Sequence, residues 1–596
     1  MSHTFHIPVL GLGFSIDTPL KVARYGISSV MSIVDDELVE RMREFHSKEN
    51  DKPFTPIKKT EADHRARRIT AYLNLVNDLV NEQFTALKKQ NFVPDSDLSR
   101  YFQLLPDTSP LKQGYDLMLE YPEGPQKQMF QLVLRNSITK GSIDVNIMAK
   151  VDKMNFAADG TYLGAENTDA LAALRGFAES DLHSAVILSA GMNPKLYSYL
   201  ENFATFYPNQ NGEITKRVIL KVSDFRSAFI QAKFLAKKGI WVSEFRVESG
   251  LNCGGHAFAT EGYLLGPILQ EFKDRRVEMH AELSNLYINA LLQKGLLGAK
   301  PQSLRITVQG GIGTAEENNF LRQYYHVDAT GWGSPFLLVP EATNVDDDTL
   351  AKLTSAAQED YYLSDSSPLG ILFSNFKQST VEQQRLQRIA LNRPGSPCTK
   401  KFLCSNTEFT EEAICTASRE YQSLKIKQLN NLHLADTEHQ AALNEITEKI
   451  CLCEGLCASA YLKYNITKPK ENTAVAICPG PNLAYFHKTF SMEEMIGHIY
   501  GKINLLTDNK RPHFFIKELE LYVNYLQKDI QKHINKLTQK KANQLQAFKE
   551  QLLSGINYYK NLFTDNFISA AELKDQLNFL ESVLLNNLTH LSSIKL

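Results

Sequence analysis

Three glycine-rich segments and one group of cysteines hold the residues of this 596-residue chain that could do chemistry. The first is GLNCGGHAF at 250–258. Its paired glycines, Gly254 and Gly255, let the backbone approach a ligand closely. His256 follows them and can exchange a proton near neutral pH; a lone histidine in such a turn is equally a structural one. The second is QGGIG at 309–313, after the apolar run LRITV. Gly310 and Gly311 expose successive N–H groups that can form an anion-binding nest, and a helix starting near Glu316 would add its positive end. The third is GWGSPF at 331–336, where Gly333 and Ser334 offer backbone and hydroxyl donors. Each segment alone reads as a turn. As successive late strand ends they match the two-loop phosphate site that (β/α)₈ barrels place after strands 7 and 8.

Seven of the eight cysteines fall between positions 398 and 478, and only Cys253 lies elsewhere. A chain of this length needs no disulfide staples. Pro8, Gly11, Gly13 and Asp17 interrupt the N-terminal apolar stretch, so no export signal is read and a reducing, cytoplasmic setting is expected. The group is then either buried thiols or the ligand set of zinc or an iron–sulfur cluster. CLCEGLC at 451–457 puts Cys453 and Cys457 on one helix face, but it matches neither a zinc ribbon nor the common ferredoxin runs. The four thiols chosen as metal ligands are Cys398, Cys415, Cys453 and Cys478.

The elements that must position these groups alternate in type. Apolar, β-branched runs occur at 7–14, 27–34, 142–151, 184–191, 217–223, 243–250, 304–311 and 326–334, with helical segments between several of them, notably 225–238 and 262–273. About eight strands ending in Gly or small polar residues, with no dinucleotide fingerprint in the first unit, predict an α/β fold of the (β/α)₈ TIM-barrel type over 1–350. A charged helical insertion at about 36–135 sits on its rim, and the basic run HRARR at 64–68 reads there as a solvated helix face. Residues 351–505 form a Cys-containing extension. Residues 506–596 follow a three-and-four apolar spacing that predicts an antiparallel helical hairpin, packed on the body or on a second copy or protein partner. A net charge of −2 gives no basic footprint for nucleic acid, and no apolar run reaches the ~18 residues of a membrane span. A small-molecule substrate is the expected partner.

The order of these motifs resembles the FMN-dependent nitronate monooxygenases (2-nitropropane dioxygenase-like) and the related flavin-dependent enoyl-ACP reductases. IPVLGLGFSIDTPLKVARYGISSVMSI resembles the family's first strand and Thr-Pro helix, and DVNIM its Val-Asn strand end, which makes Asn146 a flavin contact. NCGGH resembles its Glu-Ala-Gly-Gly-His segment, with Gly254 and Gly255 beside the cofactor and His256 in the place of the catalytic base. Gly310, Gly311 and Ile312 look like its Gly-Gly-Ile segment. GSPFL with Glu341 looks like its last phosphate loop, so Gly333 and Ser334 would hold the FMN phosphate. Lys221, at the end of RVILK, is a partner for the flavin or an exposed strand-end lysine.

The likeness covers about 5–35 and 140–345. The chain departs from it at Asn252 (usually Glu), Cys253 (usually Ala), Ser249 (near a usual Gln) and Pro335 (usually Arg). It implies an FMN-dependent oxidoreductase of the nitronate monooxygenase or enoyl-reductase type, with His256 as acid/base. The alternatives are a barrel without turnover that serves binding or assembly, and a flavin/iron–sulfur electron-transfer subunit.

Overall fold

A computed structural model describes residues 3–147, 152–157, 159–189, 191–253, 255–256, 261–296, 300–506, 511–533, 537–563 and 570–586. Eight strands, β1 (Phe5–Ile7), β2 (Ser28–Ser32), β3 (Ile143–Ile147), β4 (Ser184–Leu188), β5 (Lys216–Val222), β6 (Val242–Glu248), β7 (Arg305–Gln309) and β8 (Ala329–Gly331), close into one barrel in sequence order. Every pairing is parallel, and β8 returns to β1 with Thr330 opposite Phe5 and Gly331 opposite His6. The expected α/β barrel is what forms.

Strand periodicity divides the barrel wall. Val145, Val186, Leu188, Val218, Leu220, Val222, Phe245, Val247, Ile306 and Val308 join the large core, beneath helices such as Phe225–Ala236 and Ala315–Tyr324. Val30, Ala185, Ile187 and Ile219 form a separate small cluster with Val9. Residues on the alternate positions of β6 and β7 are charged or polar. Arg246 donates to Glu244 at 2.7 Å, Thr307 donates to Glu244 at 2.7 Å, and Arg305 pairs with Glu244 at 3.2 Å. Burial alone would push Glu244 up, but Arg246 and Arg305 hold it at about 2. Glu244, Arg246 and Arg305 line a cavity of about 120 Å³ with Asp144, Arg217 and Ser28.

Three sequence expectations need correction. The first strand is Phe5–Ile7, not the run that begins at Ile7, because Pro8 has no N–H to continue a ladder; Leu10 and Phe14 turn into the core instead. The run at 64–68 is not a solvated face. Arg65 and Arg68 are buried and pair with Asp36 at 2.9 and 2.8 Å, while Arg67 stays on the surface with Glu61. These two arginines fasten the helix His64–Lys89 to the end of β2, where Asp35 caps the helix Asp36–Glu49. The C-terminal region is also more than a hairpin: Phe514–His533, Gln539–Leu562 and Ala570–Asn586 are three helices. Their buried Ile516, Leu519, Leu552, Ile556 and Leu577 belong to the same core as the barrel's outer face.

After β8 come the antiparallel pair β9 (Tyr361–Ser364) and β10 (Phe373–Phe376), then the helices Thr380–Ala390, Arg419–Asn430, Asp436–Thr447, Leu452–Lys463 and Met492–Ile499. This part carries the cysteines and lies over the C-terminal ends of the barrel strands. Gly13 N–H donates to Leu456 O at 2.8 Å, and Ser374 N–H donates to Gly255 O at 3.1 Å.

Candidate active site at the barrel mouth

Consecutive strands carry a polar chain across the C-terminal end of the barrel. Lys221 of β5 pairs with Glu248 of β6 at 2.9 Å. The side-chain amide of Gln309 on β7 donates to Glu248 at 2.8 Å, and its carbonyl lies 3.3 Å from His6 Nε2. β8 contributes Gly331, where a Cβ would sit 2.6 Å from Gln309 Cβ and 2.8 Å from the His6 ring. Glycine is what lets those two side chains meet. Burial, with Arg246 nearby, pushes His6 down to about 3, so it is neutral. Asn146 lies between Ser32 and Ile187 in register and is half-buried.

The residues after β6 are held by the extension and by the C-terminal helices. His256 Nε2 lies 2.6 Å from the Ser367 hydroxyl, its backbone bridges Phe373, and its ring meets the Phe373 ring edge-on at 5.3 Å. Gly254 lies outside the described residues. Glu518, from the helix Phe514–His533, accepts N–H groups from Gly250 and Leu265, each at 2.8 Å. It thereby fixes both ends of the segment that carries His256. Burial pushes Glu518 up to about 7 despite those two donors. Cys253 is buried, which pushes its thiol well up.

The glycine turns after β7 and β8 are closely packed. Gly310 and Gly311 have φ of 102° and 81°. A Cβ on Gly310 would sit 2.7 Å from Ser249 Oγ, one on Gly311 2.4 Å from Leu251, and one on Gly333 2.8 Å from Cys253. The extension covers them. Gly480 N–H donates to Ser334 Oγ at 2.8 Å, and Ser334 in turn donates to Cys253 O at 3.4 Å. Asn482 donates to Gly311 O at 2.6 Å and Ile312 O at 3.0 Å. Arg511 donates to Gly311 O at 2.7 Å and pairs with buried Glu317 at 2.7 Å. The space left among Val9, Phe14, Cys253, Leu337 and Cys478 is about 10 Å³, room for at most a water. At the ends of β7 and β8 the Ser334 hydroxyl and the Gly311 and Ile312 carbonyls are thus bonded to the extension and to Arg511. Glu341 stands apart, bonded to Arg100 and the Met492 N–H.

No family model and no curated protein matches the chain. Among solved structures it is similar to FabK from Thermotoga maritima, at 12% identity over 68% of this chain and 85% of that one, with a TM-score of 0.30. It is also similar to the enoyl reductase domain of MlnA from the macrolactin biosynthesis cluster of Bacillus amyloliquefaciens, at 14% identity over 74% and 90%, with a TM-score of 0.33. Likenesses this distant assign neither fold nor activity. The barrel is read from the chain's own strand pairing.

Of the residues singled out in the sequence, Lys221 meets a partner across the mouth, and His256 is tied to the extension through Ser367. Ile312 and Ser334 bond to the covering segment. Glu248 and His6 were missed, as was the side chain of Gln309. The signal for Glu248 was present in SEFRVES, where Glu244, Arg246 and Glu248 alternate on one face of a strand that should read apolar. Cys398, Cys415, Cys453 and Cys478 are buried free thiols in one small cluster. Among the described residues, no group of three or more His, Cys, Asp or Glu side chains is arranged to hold a metal ion. No described helix is long and apolar enough to cross a membrane.

Proposed function

We propose that the barrel is the body of an oxidoreductase of the flavin-dependent enoyl-reductase type, with proton handling at the ends of β5 to β7. The observation that carries this reading is the Lys221–Glu248 pair at 2.9 Å, linked through Gln309 to His6. It stands at the strand ends from which barrel enzymes work, beside the segment whose motif resembles that of the family's catalytic base. Lys221 can hold a proton at Nζ with Glu248 as counter-charge. His256 Nε2, in contact with Ser367, is the group suited to give or take one.

The resemblance makes FMN the electron carrier, and the Ser334 hydroxyl that would meet its phosphate accepts the Gly480 N–H in this structure. The roles assigned are therefore those of the chain's own groups. Of the two activities in the resembled family, the reading keeps enoyl reduction; nitronate as substrate does not follow where Asn252 and Pro335 replace the family's usual Glu and Arg, and the same replacements favour the second reading below.

One observation favours a second reading, a barrel that binds or assembles without turnover: the Ser334 hydroxyl already accepts a backbone N–H of the chain's own Gly480. Titrating the full chain with FMN separates the two. Stoichiometric, saturable binding supports the oxidoreductase, and absence of binding overturns it in favour of the second reading.

A further inference from the structure

The barrel interior holds a second set of charged groups at the end opposite the mouth. Inward positions of such strands usually carry apolar, branched side chains. Here β3, β5, β6 and β7 place Asp144, Arg217, Glu244 and Arg305 within their first three residues, and Arg246 follows at the next inward position of β6. They line the cavity of about 120 Å³, which therefore belongs to the N-terminal end of the strands. Arg217 and Gln302 on its wall are half-buried and Ser303 is exposed, so the cavity reaches the surface there.

Arg246 is 3% exposed. Its Nε and Nη2 donate to Glu244 at 2.9 and 2.7 Å. Its Nη1 is buried and has no hydrogen-bond partner among the described residues. Guanidinium N–H groups kept from water without an acceptor carry the full desolvation cost of a charged donor. The neighbouring carboxylates are largely committed elsewhere. Glu244 also accepts from Thr307 and Arg305, and Asp144 accepts the Ser142 hydroxyl at 2.6 Å and the Ala185 N–H at 3.2 Å. Three arginines of the cavity wall face two carboxylates, and His6 beside them is neutral. One positive charge is left in excess.

We propose that this cavity binds a short monocarboxylate of the size of acetate or propionate, its carboxylate held by Arg246 Nη1 and Arg217. Such an anion supplies the acceptor that Nη1 lacks and offsets the excess charge. The rest of the wall is apolar, with Phe5, Ala185, Ile219, Trp241 and Ala329. A bare halide would leave that surface uncovered, whereas a short alkyl tail packs on it. A dry cavity of about 150 Å³ takes a benzene ring, so this one has room for about four or five heavy atoms.

His6 lines the same cavity, and its Nε2 is the end of the chain that runs through Gln309 and Glu248 to Lys221. One histidine thus joins the floor of the barrel to its mouth. The N-terminal end of such a barrel serves stability rather than chemistry, so a ligand there should show first as stabilisation. The floor site does not rest on the oxidoreductase reading.

The test titrates the full chain with sodium acetate, propionate and chloride, at an ionic strength held constant with gluconate, a carboxylate too large for the cavity. Thermal unfolding and ligand-observed NMR of the propionate methyl protons are read on the same protein. The expected result is saturable binding of one propionate per chain and a Tm that climbs with its concentration, with no such rise for chloride. Arg217→Gln should weaken binding about tenfold, and Arg246→Gln should abolish it. If Arg246→Gln does not fold, Arg217→Gln decides. A Tm and an NMR signal that ignore both carboxylates overturn the proposal. So does a chloride response equal to that of propionate, and so does unchanged affinity in Arg217→Gln. Each of these results leaves the flavin titration of the barrel reading untouched.

Discussion

Glu518 accepts the Gly250 N–H at 2.8 Å, so a helix of the C-terminal region fixes the chain just after β6. The same carboxyl takes the Leu265 N–H at the far end of that segment, also at 2.8 Å. Replacing Glu518 by Ala leaves two buried donors without an acceptor, at roughly 1–3 kcal/mol each. Chemical denaturation of Glu518→Ala should therefore show a loss of several kcal/mol, and Glu518→Gln, which keeps one acceptor, should lose less. Equal losses in the two variants would contradict this account of the clamp.

The same residue sets a pH dependence. Burial raises Glu518 from its ordinary 4.5 to about 7. Its stabilising share is then fully present below about 4.5 and is lost as pH rises through about 7. The span is worth roughly 3 kcal/mol. The Tm of the wild type minus that of Glu518→Gln should fall between pH 5 and 8 by about the equivalent of that energy. A difference that stays flat across that range would show that Glu518 does not titrate there.

Gly480 has no room for a side chain, since a Cβ would sit 2.4 Å from Ser334 Oγ. Gly480→Ala should destabilise by about 1–3 kcal/mol through overpacking. In a Ser334→Ala background the clash is relieved, so the same change should cost less, with a coupling above about 0.5 kcal/mol. Additive losses in the double-mutant cycle would contradict the packing of the extension on the β8 turn.

Arg511 and Glu317 are a buried pair at 2.7 Å, and Glu317 also accepts the Phe514 and Gly313 N–H groups. Burial raises the Glu317 carboxyl, but Arg511 more than offsets this and holds it below its ordinary range. Arg511→Met should cost about 3–5 kcal/mol by stranding the carboxylate. Its stabilising share should disappear as pH falls through that depressed value. Wild-type stability that is no more acid-sensitive than that of the variant would refute the pairing's role.

Much of the barrel was legible because each strand is a short β-branched run that stops at glycine or a small polar residue. β1 was misplaced because Pro8 and Gly11 lie inside an apolar run whose second half packs as a turn. Arg65 and Arg68 read as surface charges because nothing local reveals that Asp36, on the neighbouring helix, is their buried partner. The site was harder to read. Lys221, Glu248, Gln309 and His6 meet only when β8 returns to β1, and no spacing along the chain records that closure. The bonds from Gly480 to Ser334 and from Asn482 to Gly311 are equally non-local: nothing near the turns records that the extension lies over them. The thiols at 398, 415 and 451–453 read as a group, but their burial in one cluster depends on the fold of the extension.

His256→Ala separates an acid/base from a structural histidine. For an acid/base, kcat for an enoyl thioester should fall by about 10²–10⁴-fold with little change in KM. Losing the Ser367 contact alone should lower stability and leave kcat nearly intact. An unchanged kcat would remove His256 from the chemistry.

The most direct measurement of the central claim is reduction of a 2-enoyl thioester by the wild-type full chain, assayed with NADPH or NADH in the presence and absence of FMN. The account predicts FMN-dependent saturation of the double bond. A chain that leaves the double bond untouched under both conditions, with FMN bound or not, would contradict it.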